Sequence, residues 1–273
     1  MDILIRARGG LALLVFILPL TVLADPTVLD DTGRQVALPG PAQRIVTLSP
    51  HATELVISAG AAGQLVAIAS GSPPPPGLID LPRIGGAGPL DREALLAIAP
   101  DLVVGWQSGN RTADLDWLAR LGIAVYRSEP HSLEDVARSI RAIGDLAGTA
   151  AKAAAAAQRF REATQTACAQ LPPRPALVLV WERPPMTIGG RHWINAVLHA
   201  AGFRNHFAGF AAGTFQVAPE ALLAAATVHR LSLVPGSADD PVLADLLSRP
   251  GPRLAGAVQR LCERRLALQA GSP

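Results

Sequence analysis

Short apolar runs rich in β-forming residues alternate with helical runs over the first half of the sequence, and this alternation constrains the fold most strongly. Glycine or proline ends most of the helical runs. The predicted strands cover residues 44–49, 64–70, 101–106 and 123–128. Because apolar strands that alternate with helices form a parallel sheet covered on both faces, the pattern predicts an α/β lobe.

A second unit of the same kind follows. It opens with a strand at residues 176–181 and continues through a helix that begins near Glu220, a strand at 230–236 and a terminal helix at 252–269. Only residues 237–251 separate that last strand from the terminal helix, which is too short for a helix, a strand and their loops. The second lobe is therefore predicted to lack one strand.

Helices are predicted to join the two units across residues 131–172. After Gly148, residues 149–171 contain no proline or glycine and are rich in strong helix formers. Such a run is long enough for one helix of about 22 residues, roughly 33 Å in length. The predicted organisation is an N-terminal α/β lobe at 25–130, the helical region, and a C-terminal α/β lobe at 173–273.

The first residues of the chain differ from the rest. A basic start is followed by an apolar run at 11–23 and by small residues up to Ala24. Because a run of about 13 apolar residues is too short to span a bilayer, residues 1–24 predict a signal peptide cleaved after Ala24 and a soluble protein exported to the periplasm. In that oxidising compartment Cys168 and Cys262 are free to pair, although the sequence leaves their proximity open.

Charge and motifs argue against several classes of function. The net charge is only +2 and no run of lysine or arginine occurs, so nucleic acid is not a predicted partner. The sequence contains no nucleophile elbow, Walker phosphate loop or dinucleotide-binding glycine pattern. His192, His199 and His206 recur every seven residues, which on a helix is about 10.5 Å and too far for a shared metal. We therefore predict no enzyme, no cofactor and no metal site.

The pentapeptide Glu-Ala-Leu-Leu-Ala occurs twice, beginning at Glu93 and at Glu220. Each copy stands at the predicted start of a helix that precedes a strand, so the two units carry the same feature at equivalent places. A carboxylate in the first turn complements the helix dipole, which accounts for a glutamate there without any further role. From the residues alone, a role in recognition stays the alternative.

Trp106 ends a predicted strand and begins the turn GWQSGN. Ligands of parallel α/β sheets bind beyond the carboxyl ends of the strands, so an aromatic side chain here indicates a small-molecule site. A tryptophan that simply closes the end of the sheet fits the same position. Trp181 and Met186 occupy the matching region of the second unit, and two facing α/β lobes would form a cleft between them.

Five stretches of the sequence resemble the periplasmic substrate-binding proteins of ABC importers, most nearly their cobalamin-binding branch. They read RIVTLSPHATELVISAG, REALLAIAPDLVVGWQSGN, LGIAVYRSEPHSLEDV, PPMTIGGRHWINAVLHAAGFRNHFAG and DLLSRPGPRLAGAVQRLC. The resemblance implies an α/β fold of two Rossmann-like lobes joined by a single long backbone helix. It also implies a monomer that captures cobalamin (vitamin B12) or a related corrinoid in the cleft for an ABC permease.

The resemblance further implies roles for individual residues. One glutamate on each lobe, Glu93 and Glu220, would dock onto arginines of the permease. The implied ligand contacts are Pro50, Trp106, Met186 and Phe215. The chain has only one tyrosine and six phenylalanines, which is a thin aromatic lining for a corrinoid. A haem or ferric-siderophore carrier and a degenerate, non-transport exported protein therefore stay as alternatives.

Overall fold

A computed structural model describes residues 25–72, 80–85, 88–234, 236 and 238–271. The predicted signal peptide, with its cleavage point after Ala24, lies outside these residues. Among the described residues, no helix is both long enough and apolar enough to cross a membrane.

Within the described residues, the first lobe is a parallel sheet of four strands preceded by a small hairpin. The hairpin pairs β1 (Thr27–Leu29) with β2 (Gln35–Ala37). The lobe continues with β3 (Ile45–Thr47), α1 (Pro50–Ser58), β4 (Leu65–Ala67), α2 (Arg92–Ile98), β5 (Leu102–Trp106), α3 (Thr112–Arg120) and β6 (Ala124–Ser128). The strand order is β4-β3-β5-β6 and every neighbouring pair is parallel, as predicted.

Side-chain caps mark where two helices of this lobe, α1 and α2, begin. Ser49 accepts a hydrogen bond from the backbone N–H of Ala52 at the start of α1, and Asp91 accepts one of 2.9 Å from the N–H of Ala94 in α2. Each cap satisfies a backbone donor that the helix itself leaves unpaired. These two helices therefore start at a serine and an aspartate that each satisfy a free backbone donor.

Apolar side chains from the helices cover both faces of the first sheet. On one face, Leu95 of α2 and Leu115 of α3 are fully buried against strand residues such as Val103. On the other face, α1 and α4 (Leu133–Leu146) contribute buried residues to a larger core. Burial on both faces explains why the strands of this lobe are almost wholly apolar.

The two helices α4 and α5 (Ala150–Thr164) connect the lobes and pack against each other. A Cβ atom on Gly144 would lie 2.1 Å from the Cβ of Ala153, so only glycine allows this close approach. The helix predicted to run to residue 171 instead ends at Thr164. The reason is tertiary: the hydroxyl of Thr166 donates to the carbonyl of Ala200, which draws the chain away from the helix axis.

The described part of the second lobe holds a mixed sheet of five strands. Its elements are β7 (Arg174–Glu182), β8 (Pro185–Ile188), α6 (Ile194–Ala200), β9 (Phe203–Asn205), β10 (Thr214–Gln216), α7 (Pro219–Ala224), β11 (His229–Ser232), α8 (Pro241–Leu246) and α9 (Leu254–Ala270). Strands β9 and β11 are parallel to β7, whereas β8 is antiparallel to both β7 and β10. The second sheet thus differs from the parallel sheet of the first lobe.

Strand β11 lies at an edge of the second sheet. In the first lobe, β5 pairs with β3 on one side and with β6 on the other, and α3 connects β5 to β6. In the second lobe, β11 pairs with β7, and no strand in the described part of the chain pairs with its other side. The described residues therefore agree with the predicted lack of one strand, although residues 235 and 237 lie outside them.

The two lobes share one hydrophobic core, since a single cluster of buried side chains includes residues of α1, α4, α5, α6 and α9. A disulfide between Cys168 and Cys262 ties α9 to the segment after α5, with the Cα atoms 5.6 Å apart. The pairing that the sequence left open is thus present. The shared core therefore holds the two lobes against each other.

Candidate functional site

A cavity of about 580 Å³ lies between the two lobes, beyond the carboxyl ends of β5 and β6. The first lobe lines it with Trp106, Ser108, Glu129 and His131. The second lobe lines it with Val180, Arg191, His192, Trp193, Ile194, Gly213, Thr214, Leu233, Ala244, Leu247 and Ser248. Each wall carries one tryptophan, so a flat apolar ligand in this cavity would meet an aromatic face from either lobe.

The turn after β5 positions the indole of Trp106. The backbone N–H of Trp106 donates to the side-chain oxygen of Asn110 at 2.7 Å, and the side-chain amide of Asn110 donates to the carbonyl of Leu48 at 2.8 Å. A Cβ atom on Gly109 would lie 2.0 Å from the indole, so glycine is required for the ring to lie over the turn. The predicted ligand residue Trp106 therefore faces the cleft on a rigid loop.

His51, at the start of α1, is fully buried behind Trp106. Its Nδ1 and Nε2 atoms each lie 3.2 Å from a serine hydroxyl, Ser49 on one side and Ser128 on the other. Its ring meets the indole edge to face, with 5.0 Å between the centroids. Burial, with a further contribution from Arg249, lowers the pKa of His51 to about 3, so the imidazole is neutral at physiological pH.

Glu129 forms part of the first-lobe wall of the cavity, and its carboxylate accepts hydrogen bonds from within the protein. It accepts hydrogen bonds from the backbone N–H of Ser108 at 2.8 Å and from the hydroxyl of Ser108 at 2.9 Å. The backbone N–H of Glu129 in turn donates to Asp31 at 2.8 Å. This arrangement holds the loops after β5 and β6 together at the mouth of the cavity.

The second-lobe wall is built on two glycines that precede Arg191. The N–H of Gly189 donates to the carbonyl of Gly213 at 2.8 Å, and the N–H of Gly190 donates to the carbonyl of Phe210 at 2.7 Å. A Cβ atom on Gly189 would lie 2.4 Å from the carbonyl oxygen of Ala212. Only glycine fits here, and the close backbone contact directs the following residues 191–193 towards the cleft.

His192 and Trp193 line the cavity but were not among the predicted site residues. Their rings lie 5.0 Å apart with a tilted geometry. Burial lowers the pKa of His192 to about 4. The signal that sequence reasoning passed over is an aromatic pair one residue after MTIGG, in the turn that follows the hairpin strand β8.

The other predicted ligand residues do not line this cavity. Met186 and Phe215 lie on the antiparallel pair β8 and β10, where Phe215 is opposite Thr187. The ring of Phe215 stacks on Phe210, with 4.9 Å between the centroids. Pro50 occupies the first turn of α1 and is half-buried. Their contact with a ligand stays a prediction.

Glu93 and Glu220 are exposed in the first turns of α2 and α7. Neither lines the cavity. In each helix the second leucine of the repeated pentapeptide points outward, since Leu96 is 47% exposed and Leu223 is 76% exposed. The two pentapeptides therefore present the same exposed pair, a glutamate and a leucine three residues later, on the two lobes.

A cluster of ion pairs joins the lobes close to His51, with the Glu54 carboxylate largely buried and the Asp245 carboxylate exposed. The Oε1 atom of Glu54 in α1 lies 3.0 Å from the Nε of Arg253 and 3.7 Å from the Nε of Arg249. Asp245 pairs with both arginines. Burial raises the pKa of the Glu54 carboxyl, although the arginines act in the opposite direction. The cluster therefore links α1 of the first lobe to the segment between α8 and α9 of the second.

A second, larger groove of about 750 Å³ lies on the second lobe alone, between α7 and the sheet. Its floor contains Leu177 and Leu179, and its walls contain Leu222, Ala225 and Val228. In the first lobe, α3 covers the equivalent face of the sheet. The groove thus follows from the shortened second lobe, and the cavity between the lobes is the better candidate for a ligand because both lobes build it.

Comparison with known proteins supports a common origin for most of the chain. The family profile described as periplasmic binding protein matches residues 45–231. The vitamin B12-binding protein of Vibrio cholerae is 31% identical over 258 residues, which cover 86% of this chain and 94% of that protein. The vitamin B12-binding protein of Yersinia pestis is 28% identical over 241 residues, covering 82% of this chain and 86% of that protein.

Solved structures share the same fold. The crystal structure of the periplasmic vitamin B12-binding protein BtuF of Vibrio cholerae matches with a TM-score of 0.72 and 28% identity, covering 84% of this chain and 98% of that one. A periplasmic haem-binding protein from Pseudomonas aeruginosa matches with a TM-score of 0.68 and 24% identity, covering 82% and 92%. The second similarity concerns the fold alone.

Proposed function

The chain belongs to the periplasmic binding protein family, and from this premise we propose that it captures a cobalamin-type corrinoid between its lobes and delivers it to an ABC permease. The protein is a solute-binding component of ABC import and not an enzyme. The ligand is held without covalent chemistry. Export would remove residues 1–24, so that the mature chain begins at Asp25.

One observation carries the proposal: tryptophans from opposite lobes, Trp106 and Trp193, line the same cavity. A corrin ring is flat and largely apolar, and indole faces bind such surfaces with large contact areas. The cavity of about 580 Å³ is within the usual range for small-molecule sites. The similarity to two vitamin B12-binding proteins supports the same ligand class.

Calorimetric titration of the mature protein tests this function. We expect heat on addition of cyanocobalamin, and about a 10-fold lower affinity for Trp106→Ala, since loss of one aromatic face is worth roughly 1.4 kcal/mol. Trp181→Ala is the matched control, because Trp181 is 53% exposed on β7 and does not line the cavity. Absence of heat with cyanocobalamin contradicts the proposal.

Haem is the second candidate ligand, and His131 is the observation that favours it. This residue lines the cavity and is exposed, and its ring makes no hydrogen bond within the described part of the chain. A neutral imidazole is a common axial ligand of haem iron. If haem is the ligand, added hemin gives a shifted absorption band that His131→Ala abolishes. The calorimetric titration repeated with a ferric siderophore tests the remaining alternative ligand.

For delivery, we propose that Glu93 and Glu220 contact arginines of the permease. Both are exposed at equivalent helix starts on the two lobes. A pair of carboxylates at pseudo-symmetric positions suits a two-fold symmetric partner, with one charge-assisted contact for each half. The helix-dipole role is compatible, because an exposed first-turn glutamate retains its carboxylate for a partner.

A further inference from the structure

The segment 191–193 is held in one conformation by its surroundings. The N–H of Arg191 donates to the carbonyl of Ala212 at 3.0 Å. The side-chain amide of Asn195 donates to the carbonyls of Gly189 and His192, each at 2.8 Å. Both ends of this short segment are therefore tied to the lobe, and the side chains that it presents to the cavity are preorganised.

One nitrogen of His192 is already committed inside this segment. The backbone N–H of Ile194 donates to the Nδ1 of His192 at 3.2 Å. A ring nitrogen that accepts a hydrogen bond carries no proton, so the proton of the neutral imidazole is on Nε2. Burial lowers the pKa of His192 to about 4, and the ring stays in this neutral form at the pH of the periplasm.

The Nε2 of His192 is the ring nitrogen that the segment itself leaves unused. His192 is half-buried and lines the cavity, and its Nε2 makes no hydrogen bond to any other described residue. An N–H donor in this position would form a hydrogen bond with a ligand oxygen. It could not accept a hydrogen bond from a ligand amine or guanidinium group. Because Nε2 carries the proton, it has no lone pair for a metal.

We propose that the Nε2–H of His192 is a specificity-determining hydrogen-bond donor, which binds a carbonyl oxygen on the periphery of the corrinoid and does not ligate its cobalt. This inference rests on the proposed function, since it assigns the polar contact of that same site. The amide groups around a corrin ring supply such oxygens. Trp106 and Trp193 would then contact the ring, while His192 sets its orientation.

Affinity measurements on two variants test the donor. His192→Phe keeps a ring against Trp193 but removes the donor, and we expect a 3- to 10-fold loss of cyanocobalamin affinity, about the effect of one neutral hydrogen bond. His192→Gln restores an N–H donor, and we expect it to recover most of the loss. His199→Phe is the matched control, because His199 is exposed on α6 and does not line the cavity.

A spectroscopic measurement separates donation from metal ligation. The absorption spectrum of bound aquocobalamin should be the same in the wild type and in His192→Phe, because the proposal leaves the cobalt untouched. If the variants fail to fold, nitrogen NMR of His192 in the wild type replaces them. It should show a proton on Nε2 whose resonance shifts when cyanocobalamin is added.

The outcomes distinguish this inference from the function on which it rests. Binding by the wild type with equal affinity for His192→Phe overturns the donor role and leaves the function in place. A spectrum that changes in His192→Phe, or a proton on Nδ1, also overturns the donor role alone. A wild type that binds no cobalamin overturns both.

Discussion

The imidazole of His51 meets the indole of Trp106 edge to face, with the ring planes at 84° and the centroids 5.0 Å apart. His51 is fully buried between two serine hydroxyls, whereas Trp106 lines the cavity. One wall of the proposed ligand site therefore rests on a neutral imidazole that is itself fixed by hydrogen bonds. The position of Trp106 in the cleft therefore depends on the packing of His51 in the first lobe.

Replacement of His51 by alanine should affect stability and binding together. The variant His51→Ala removes the support of Trp106 and the hydrogen-bond partner of Ser128. We expect the free energy of unfolding in urea to fall by about 2–4 kcal/mol and cyanocobalamin affinity to fall as well.

His206→Ala is the control for this substitution. His206 also meets an aromatic ring edge to face, Phe207 at 4.8 Å, but it is exposed. Its replacement should change the free energy of unfolding by less than about 0.5 kcal/mol. Equal losses for the two variants contradict the supporting role of His51.

Acid should unfold the protein through its buried histidines. In the unfolded chain His51 takes up a proton near its ordinary pKa of 6.5, but in the fold only near 3. The unfolded state therefore binds more protons between these values, and stability is lost as the pH falls from about 6.5 towards 3. His192 and His229, whose pKa values burial lowers to about 4, act in the same direction over a narrower range.

The contribution of His51 is measured by comparison with His51→Gln. We expect the wild type to lose about 1.4 kcal/mol more per pH unit than the variant between pH 6 and pH 4 in urea denaturation. Glu54 and Asp31, whose pKa values burial raises, act in the opposite direction but are present in both proteins. Parallel stability curves for the two proteins would show that His51 titrates normally.

The disulfide should provide a large share of the stability. It joins Cys168 and Cys262 across 94 residues of sequence, and closing a loop of that size restricts the unfolded chain. We expect the double variant Cys168→Ala with Cys262→Ala to lose about 3–5 kcal/mol of unfolding free energy. A reducing agent should bring the wild type to the value of the variant and leave the variant unchanged. A loss below about 1 kcal/mol contradicts this prediction.

Docking to the permease should depend on the two repeated glutamates. The double variant Glu93→Ala with Glu220→Ala should keep its affinity for cyanocobalamin, because neither residue lines the cavity. Its affinity for the permease in nanodiscs should fall by a factor of about 10 or more, since two charge-assisted contacts are lost.

A matched control changes the charge by the same amount elsewhere. Glu162 and Glu263 are exposed on α5 and α9, and their double replacement by alanine should leave permease affinity unchanged. If both double variants lose affinity equally, the effect is one of overall charge and the assignment of Glu93 and Glu220 fails.

Local signals in the sequence predicted much of the fold. The strand that ends at Trp106 and the edge position of β11 follow from patterns of neighbouring residues. Such features depend on backbone geometry and chain length within a few residues. The alternating pattern also placed Trp106 at the end of the sheet where the cavity lies.

Contacts between residues far apart in the chain could not be predicted from the sequence. The helix that ends at Thr164 was predicted to continue, because nothing nearby in the chain signals the hydrogen bond from Thr166 to Ala200. The position of His192 likewise depends on carbonyls 20 residues away, which a glycine pair approaches closely. Tertiary contacts of this kind override local propensity.

The disulfide also determines how the chain would respond to mechanical force. Among the residues that the structure describes, each strand of the second lobe, from β7 to β11, lies between Cys168 and Cys262. A pull on the two ends of the oxidised protein would pass through the sulfur bridge and bypass that lobe. The segment between the two cysteines, which are 94 positions apart in sequence, would withhold roughly 320 Å of contour length, at about 3.4 Å per residue, until the bridge is reduced.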